Sequence, residues 1–167
     1  MRCLNIGDWM WWSILRKKQT TLPGFDKKQV KDMVKPKNHN FWIAPKPGDD
    51  ELPAKELSRL SDAMLKDLAK LNKDKEFTIT SAEGRSPYGD EPSFMLTNVP
   101  SKYRKAIYKL AEKYQQKVIA VSRRKQKGAT FITPKGERKD KFSGMGFESK
   151  PDFYTEYPSG QKLTFRE

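Results

Sequence analysis

Between Leu71 and Phe77 the hydrophobic period of this 167-residue chain changes from that of a helix to that of a strand. Any fold it adopts must therefore hold both kinds of element. On the near side, Leu57, Leu60, Met64, Leu68 and Leu71 recur at three- and four-residue steps over 53–72, with Lys and Asp on the other face. A stripe of that width is buried against a second layer. Pro53 fits the first turn of such a helix, where its missing N–H costs nothing. On the far side, Phe77-Thr78-Ile79-Thr80-Ser81 alternates with period two and reads as a strand.

The rest of the C-terminal two thirds follows from the same test. Residues 82–92 hold Gly84, Pro87, Gly89 and Pro92 and read as a loop, and Ser93 to Asn98 reads as a second strand. Pro100 and Ser101 open a helix to about Gln116, with Tyr103, Ile107, Leu110, Ala111 and Tyr114 on one face. Residues 117–122 and 129–133 read as a hairpin around a basic turn at 123–128. Gly144 and Gly146 mark a mobile or tightly turned segment, and 153–157 with 162–165 read as a terminal hairpin. The expected fold is α+β: a small, mostly antiparallel sheet of about four to six strands packed against the helices at 53–72 and 101–116, with an extended N-terminal segment.

That segment, residues 1–52, is set off from an α+β domain at 53–167, and its first forty residues are expected to wrap around the domain or reach a partner. Asp8 is a plausible N-cap for a short helix over 8–18 carrying Trp9, Trp11 and Trp12. So many large apolar groups on so short a helix need a partner: the protein's own core, another chain or a membrane interface. A second short helix is expected over 26–35, begun by Asp26 and stopped before Pro36. Residues 36–53 carry Pro36, Pro45, Pro47 and Pro53 and read as a linker or surface loop, with Phe41-Trp42-Ile43 as an apolar anchor to the core.

Composition narrows the chemistry. Cys3 is the only cysteine and His39 the only histidine. An intramolecular disulfide and a zinc site of several Cys or His ligands are thereby excluded, and the single thiol suits a reducing compartment. Nucleophilic machinery of the Cys–His or Ser–His–Asp kind would have to use these two residues, both in the weakly patterned N-terminal segment. No run of eighteen apolar residues spans a membrane, and the N-terminus lacks the basic-then-apolar order of a secretory signal. The expected location is cytoplasmic, or the virion or host cytoplasm for a viral protein. Gly144-Met145-Gly146 lacks the third glycine and the strand–helix setting of a phosphate cradle, and no motif implies a cofactor.

The net charge of +13 is unevenly spread. Residues 100–141 hold fourteen Lys or Arg against three acids, whereas residues 41–99 hold eight against eleven. A concentrated basic surface attracts polyanions by Coulomb steering and counterion release. Within the basic stretch, Lys102, Lys105, Lys109 and Lys113 fall within about 80° of one another on a helical wheel and form a row away from the apolar stripe. The turn Arg123-Arg124-Lys125-Gln126-Lys127-Gly128 follows, then Lys135, Arg138, Lys139 and Lys141. A lysine row beside a basic hairpin tip suits a phosphate backbone better than base readout. Of the nearby aromatic residues, Tyr103 and Phe131 fit the core, and Tyr108, at the edge of the apolar stripe, is the better candidate for stacking on a base.

Glu83, Asp90 and Glu91, between the first two strands, are weak candidates for a Mg²⁺ site in a nuclease. Glu91 is followed by Pro92 and Ser93, so the acid-x-Lys pair of restriction-type nucleases is missing.

Four short pieces carry a resemblance: Ile79-Thr80-Ser81-Ala82-Glu83, Glu91-Pro92-Ser93-Phe94, Ala111-Glu112-Lys113-Tyr114-Gln115-Gln116 and Val118-Ile119-Ala120-Val121. Over about residues 77–137 the chain resembles a small bacterial and phage domain of unknown function. The chain departs from that family in having Gly84-Arg85 where Asn-Pro often follows the first strand. The resemblance implies a compact β-β-α-β-β unit often encoded by mobile or viral genomes, and the family has no established activity to carry over. The Trp-rich start also looks like leaders on small archaeal and viral proteins.

The expected function is that of a small accessory protein binding nucleic acid or another polyanion, such as an acidic protein surface, without catalysis. Two alternatives stand beside it. One is a structural or interaction protein of a viral or cellular assembly, anchored or oligomerised through the Trp-rich helix. The other is a metal-dependent nuclease.

Overall fold

The longest strands among the described residues are β2 (Thr78–Ser86) and β3 (Gly89–Val99). They pair antiparallel without a break from Thr78↔Thr97 to Ser86↔Gly89. The stretches 82–86 and 89–92 are therefore ladder and not loop. Gly84 stands opposite Glu91, and Pro92 opposite Glu83. Pro92 is tolerated because β1 pairs with β3 only as far as Phe94, which leaves Pro92 on an edge segment. The computed structural model describes residues 27–45, 52–86, 89–126, 128–142, 144–147, 154–158 and 162–166. The helix expected at 8–18, with Trp9, Trp11 and Trp12, lies outside them, as does Lys127.

Seven further strands flank this hairpin: β1 (His39–Ile43), β4 (Ile119–Ser122), β5 (Ala129–Ile132), β6 (Arg138–Phe142), β7 (Gly144–Phe147), β8 (Tyr154–Glu156) and β9 (Lys162–Arg166). They form one sheet in the order β6-β5-β4-β1-β3-β2-β8-β9-β7, and all eight pairings are antiparallel. Strands β6 and β7 stand at opposite ends of that order yet are neighbours in the chain. Phe142 and Gly144 are two residues apart, so their Cα atoms are at most about 7 Å apart. The two edges therefore come together there, and the sheet must curl. Eight antiparallel steps also leave β6 and β7 running in the same direction, as halves of one bent strand do. Counted as one, they give an eight-stranded antiparallel half-barrel.

Among the described residues the helices are α1 (Lys27–Val34), α2 (Ala54–Leu71) and α3 (Arg104–Lys113), the last preceded by a 3₁₀ turn at Ser101–Tyr103. The expected α+β fold of four to six strands on two main helices is thus overturned: among the described residues nine strands dominate, and the helices are few beside the curled sheet. Three strands escaped the sequence reading. β1 hides between prolines, and its Phe41-Trp42-Ile43 is a central strand between β3 and β4, not a loop anchor. β6 reads Arg-Lys-Asp-Lys-Phe and β7 reads Gly-Met-Gly-Phe, the one almost wholly charged and the other half glycine.

Alternation along the central strands divides the core between the two faces. Phe41, Ile43, Phe94, Leu96, Ile119, Val121 and Ile132 pack with Met64 and Leu68 of α2 and Ile107 and Ala111 of α3. The residues between them, Trp42, Met95 and Ala120, pack with Ala129, Tyr157, Leu163 and Met33 of α1. In this second cluster the Tyr157 hydroxyl donates to the Met95 sulfur. Tyr157 adjoins β8 and Leu163 lies on β9, three and four places from β1 in the sheet order. Neighbouring strands are about 4.8 Å apart, so these side chains meet Trp42 only because the sheet folds over them. The second cluster fills the concave face; the first lies under α2 and α3 on the convex face. Ala120 and Ala129 are small where Trp42 and Tyr157 need room.

Candidate polyanion-binding face

One end of the half-barrel is assembled around a buried amide. Asn40, fully buried on β1, donates through Nδ2 to the carbonyls of Asp32 (2.8 Å) and Met33 (3.0 Å) in the last turn of α1. Its Oδ1 accepts the Asn98 backbone N–H at 2.9 Å. Asn98 has φ +56°, a left-handed conformation that Asn adopts more readily than most residues. Its own Oδ1 accepts from the N–H groups of Lys37 (3.0 Å) and Asn38 (3.4 Å). The Lys125 N–H donates to the Pro36 carbonyl at 2.9 Å, which fastens the β4–β5 turn to the same place. That turn is closed by Gln126 N–H to Arg123 O (2.9 Å) and Arg123 N–H to Gln126 Oε1 (3.0 Å). The end of α1, the link 36–38, the end of β3 and the β4–β5 turn thus meet along one rim.

The rim is basic. Lys35, Lys37, Arg104, Lys105, Arg123, Arg124 and Lys125 are all exposed. Half-buried His39 lies among them, its ring stacked on Phe41 at 6.1 Å between centroids. Phe41 in turn meets Tyr108 of α3 edge-on at 6.2 Å. Burial lowers the pKa of His39, and the positive charges of Arg104 and Arg123 lower it further. Burial raises the pKa of Tyr108, and the same two guanidinium groups oppose that rise. Both arginines therefore act on the same spot, one from α3 and one from the β4–β5 turn.

The expected lysine row divides. Lys102 pairs with Glu76 at 2.8 Å and lies 5.0 Å from the Tyr103 ring centroid. Lys113 pairs with Asp67 of α2 at 2.7 Å and lies 5.6 Å from the Tyr114 ring centroid. Tyr114 also donates to Asp67 Oδ2 at 2.9 Å. Burial pushes the Asp67 pKa up, but the hydrogen bonds from Lys113 and Tyr114 outweigh it and hold the carboxyl below its ordinary value. Burial, and then the bond to Asp67, raise the Tyr114 hydroxyl. The two ends of the row tie α3 and its 3₁₀ turn to the rest of the fold. Lys105 and Lys109, between them, are exposed. Of the turn residues, Arg123, Arg124 and Lys125 stand on the rim. Lys135, in the next turn, lies at the other end of β5, and exposed Arg138 and Lys139 belong to β6. Tyr103 and Tyr108 are partly buried against the helix-covered core, and Phe131 packs against the concave one.

Sequence reasoning did not find Lys35, Lys37, His39 or Arg104 as parts of this surface. They leave no local signal, because their grouping depends on the insertion of β1 between β3 and β4.

Of the carboxylates considered for metal, Glu83 and Glu91 diverge. Glu83 stands opposite Pro92 and Glu91 opposite Gly84, so Glu83 and Glu91 leave the ladder on opposite faces. A Cβ on Gly84 would meet Glu91 Cγ at 3.5 Å, which places the Glu91 stem over that glycine. The Asp90 backbone pairs with Arg85, and its side chain lies outside the described part. Among the described residues, no three His, Cys, Asp or Glu side chains are grouped to hold a metal ion, and no helix is long and apolar enough to cross a membrane. No known family model matches the chain, and no curated protein matches it.

Proposed function

We propose that the protein binds nucleic acid or another polyanion, without catalysis, through the rim formed by 35–39, Arg104, Lys105 and the turn at Arg123–Lys125. The observation that carries this reading is that the Lys125 N–H bonds to the Pro36 carbonyl, which sets the exposed turn at Arg123–Lys125 beside Lys35 and Lys37, while Arg104 and Arg123 both act on His39 and Tyr108. With Arg124, Lys125, Lys35 and Lys37 around them, they form a cluster of like charge. Among the described residues none of these cations makes an ion pair, in contrast to Lys102 and Lys113. Gathering like charges has an electrostatic cost, which a polyanion relieves by replacing its own condensed counterions. Lys109, further along α3, extends the positive surface away from the rim.

Contacts to about five phosphates would give a slope of log K against log salt near −4.5 on duplex DNA and −3.5 on a single strand. Binding measured from about 50 to 200 mM salt, across single- and double-stranded DNA, RNA and heparin, tests the reading. The expected result is tight low-salt binding that falls steeply with salt and depends little on base sequence. Absence of retention on every polyanion at low salt would refute it.

A further inference from the structure

The register of β1 places its first residue in a particular setting. Asn40 pairs with Ser122 and Phe41 with Val121. Continuing that antiparallel register by one residue sets His39 opposite Arg123. On the same face of β1, His39 and Phe41 are two residues apart, and their rings stack. Helix α3 lies over this face, with Tyr108 against Phe41. Arg104 is four residues before Tyr108, so it lies one helical turn, about 5.4 Å, nearer the helix start on the same side. The rise along two strand residues is about 6.6 Å. Arg104 thus stands over His39 as Tyr108 stands over Phe41. A half-buried imidazole lies between a guanidinium on α3 and another across the strand, and both guanidiniums are exposed.

We propose that His39, Arg104 and Arg123 form a seat for one phosphodiester group of a nucleic-acid strand, and that His39 takes up a proton when the seat is filled. This rests on the polyanion-binding reading above and adds to it a named phosphate seat and a pH dependence. In the free protein, two unopposed cations beside a half-buried ring keep the imidazole neutral near pH 7. A phosphodiester between the two guanidiniums offsets their charge and offers an acceptor to a ring N–H, so the protonated imidazole becomes the favoured form. The groups facing His39 are Arg104 and Tyr108 from α3 and Arg123 from the β4–β5 turn, with Lys37 in the adjoining link; from β3 it faces Val99, which carries no charge. No carboxylate is among the groups that shift it.

The sign follows from linkage. The pKa of His39 is below its ordinary value in the free protein and higher in the complex, so binding consumes a proton between the two. Affinity is therefore greatest at low pH and declines as pH rises through the imidazole pKa of the complex, by at most about tenfold per pH unit for one proton. An oligothymidylate of about twenty nucleotides is a suitable probe, because neither thymine nor a phosphodiester titrates between pH 5.5 and 8 and any dependence belongs to the protein.

The experiment measures the dissociation constant of the full chain for this probe at fixed ionic strength across that range, beside His39→Gln and His39→Arg. Thermal melting checks that each variant is folded. The expected wild-type result is binding several-fold to tenfold tighter at pH 5.5 than at pH 8. His39→Gln should be flat with pH and several-fold weaker than wild type at pH 5.5. His39→Arg should be flat and close to wild type at pH 5.5, which separates the charge of the ring from its shape. A pH-independent wild type, or an undiminished pH slope in folded His39→Gln, overturns the phosphate seat and leaves polyanion binding standing. Failure of the wild type to bind the probe or any other polyanion at low salt overturns both.

Discussion

The two ends of the lysine row resemble the rim in composition and differ from it in electrostatics. At Lys102 and Lys113, each ammonium meets a carboxylate, Glu76 or Asp67, and lies over a tyrosine ring. At the rim, Arg104 and Arg123 face His39 and Tyr108 with no described carboxylate among the groups that shift them. The first arrangement spends its cations on holding α3 against α2 and the 72–77 connection. The second leaves its cations to solvent or to a ligand. A row of lysines on a helical wheel is therefore not by itself a binding surface. What distinguishes one cation from the next is whether the fold places an acid beside it, and that depends on elements distant in sequence.

The largest way to break this contrast is to remove what assembles the rim. Asn40→Leu deprives the Asp32 and Met33 carbonyls and the Asn98 N–H of their partner. Leaving a buried polar group unpaired costs about 1–3 kcal/mol each, part of it recovered by relaxation. A net loss of about 2–4 kcal/mol in denaturant unfolding is expected, with polyanion binding weakened as well. The next effect is electrostatic. Replacing Arg104, Arg123, Arg124 and Lys125 together by Gln should weaken binding to a single strand by about a hundredfold or more at 0.1 M salt, while the melting temperature stays near wild type. A fluorescence anisotropy titration reads the first and calorimetry the second.

A smaller effect separates the tether from the rim. The Asp67 pKa is held low by Lys113 and Tyr114. Its stabilising contribution is thus complete above the ordinary carboxyl pKa of about 4 and is lost as pH falls through the lower folded value. Asp67→Asn should cost about 1 kcal/mol or less at pH 6, because Lys113 is largely exposed, and nothing once wild-type Asp67 is itself protonated. Unfolding curves at several pH values check this. The smallest effect is on binding: Lys113→Met should change polyanion affinity by less than about twofold at 0.1 M salt, since that cation already has a partner.

The same contrast explains how much could be read in advance. The helix at 54–71 and the short helix at 27–34 follow from amphipathic spacing and proline stops. So do the cores of β2 and β3 and the β4–β5 hairpin, whose buried faces carry β-branched and aromatic residues. Those signals fail where burial is one-sided or lacking. β6 is an edge strand written in Lys and Arg, and β7 has glycine at alternate positions. Gly84 and Pro92 read as loop residues, yet a β-ladder of nine consecutive pairs accommodates both. The turn cations Arg123, Arg124 and Lys125 were visible as a run. Their grouping with Lys37, His39 and Arg104 was not, because it depends on β1 entering the middle of the sheet and on the Asn40–Asn98 amide pair. Neither leaves a local pattern.

The most direct test compares slopes of log affinity against log salt on one single-stranded probe for three proteins: wild type, the Arg104, Arg123, Arg124 and Lys125 variant, and the Lys102→Gln, Lys113→Gln variant. Each lost phosphate contact should reduce the slope by about 0.7 on a single strand. The rim variant should therefore lose about 2–3 from its slope, and the tether variant should retain the wild-type value. Equal losses in the two variants, or a rim variant with an undiminished slope, would contradict the assignment of the rim as the polyanion-binding surface.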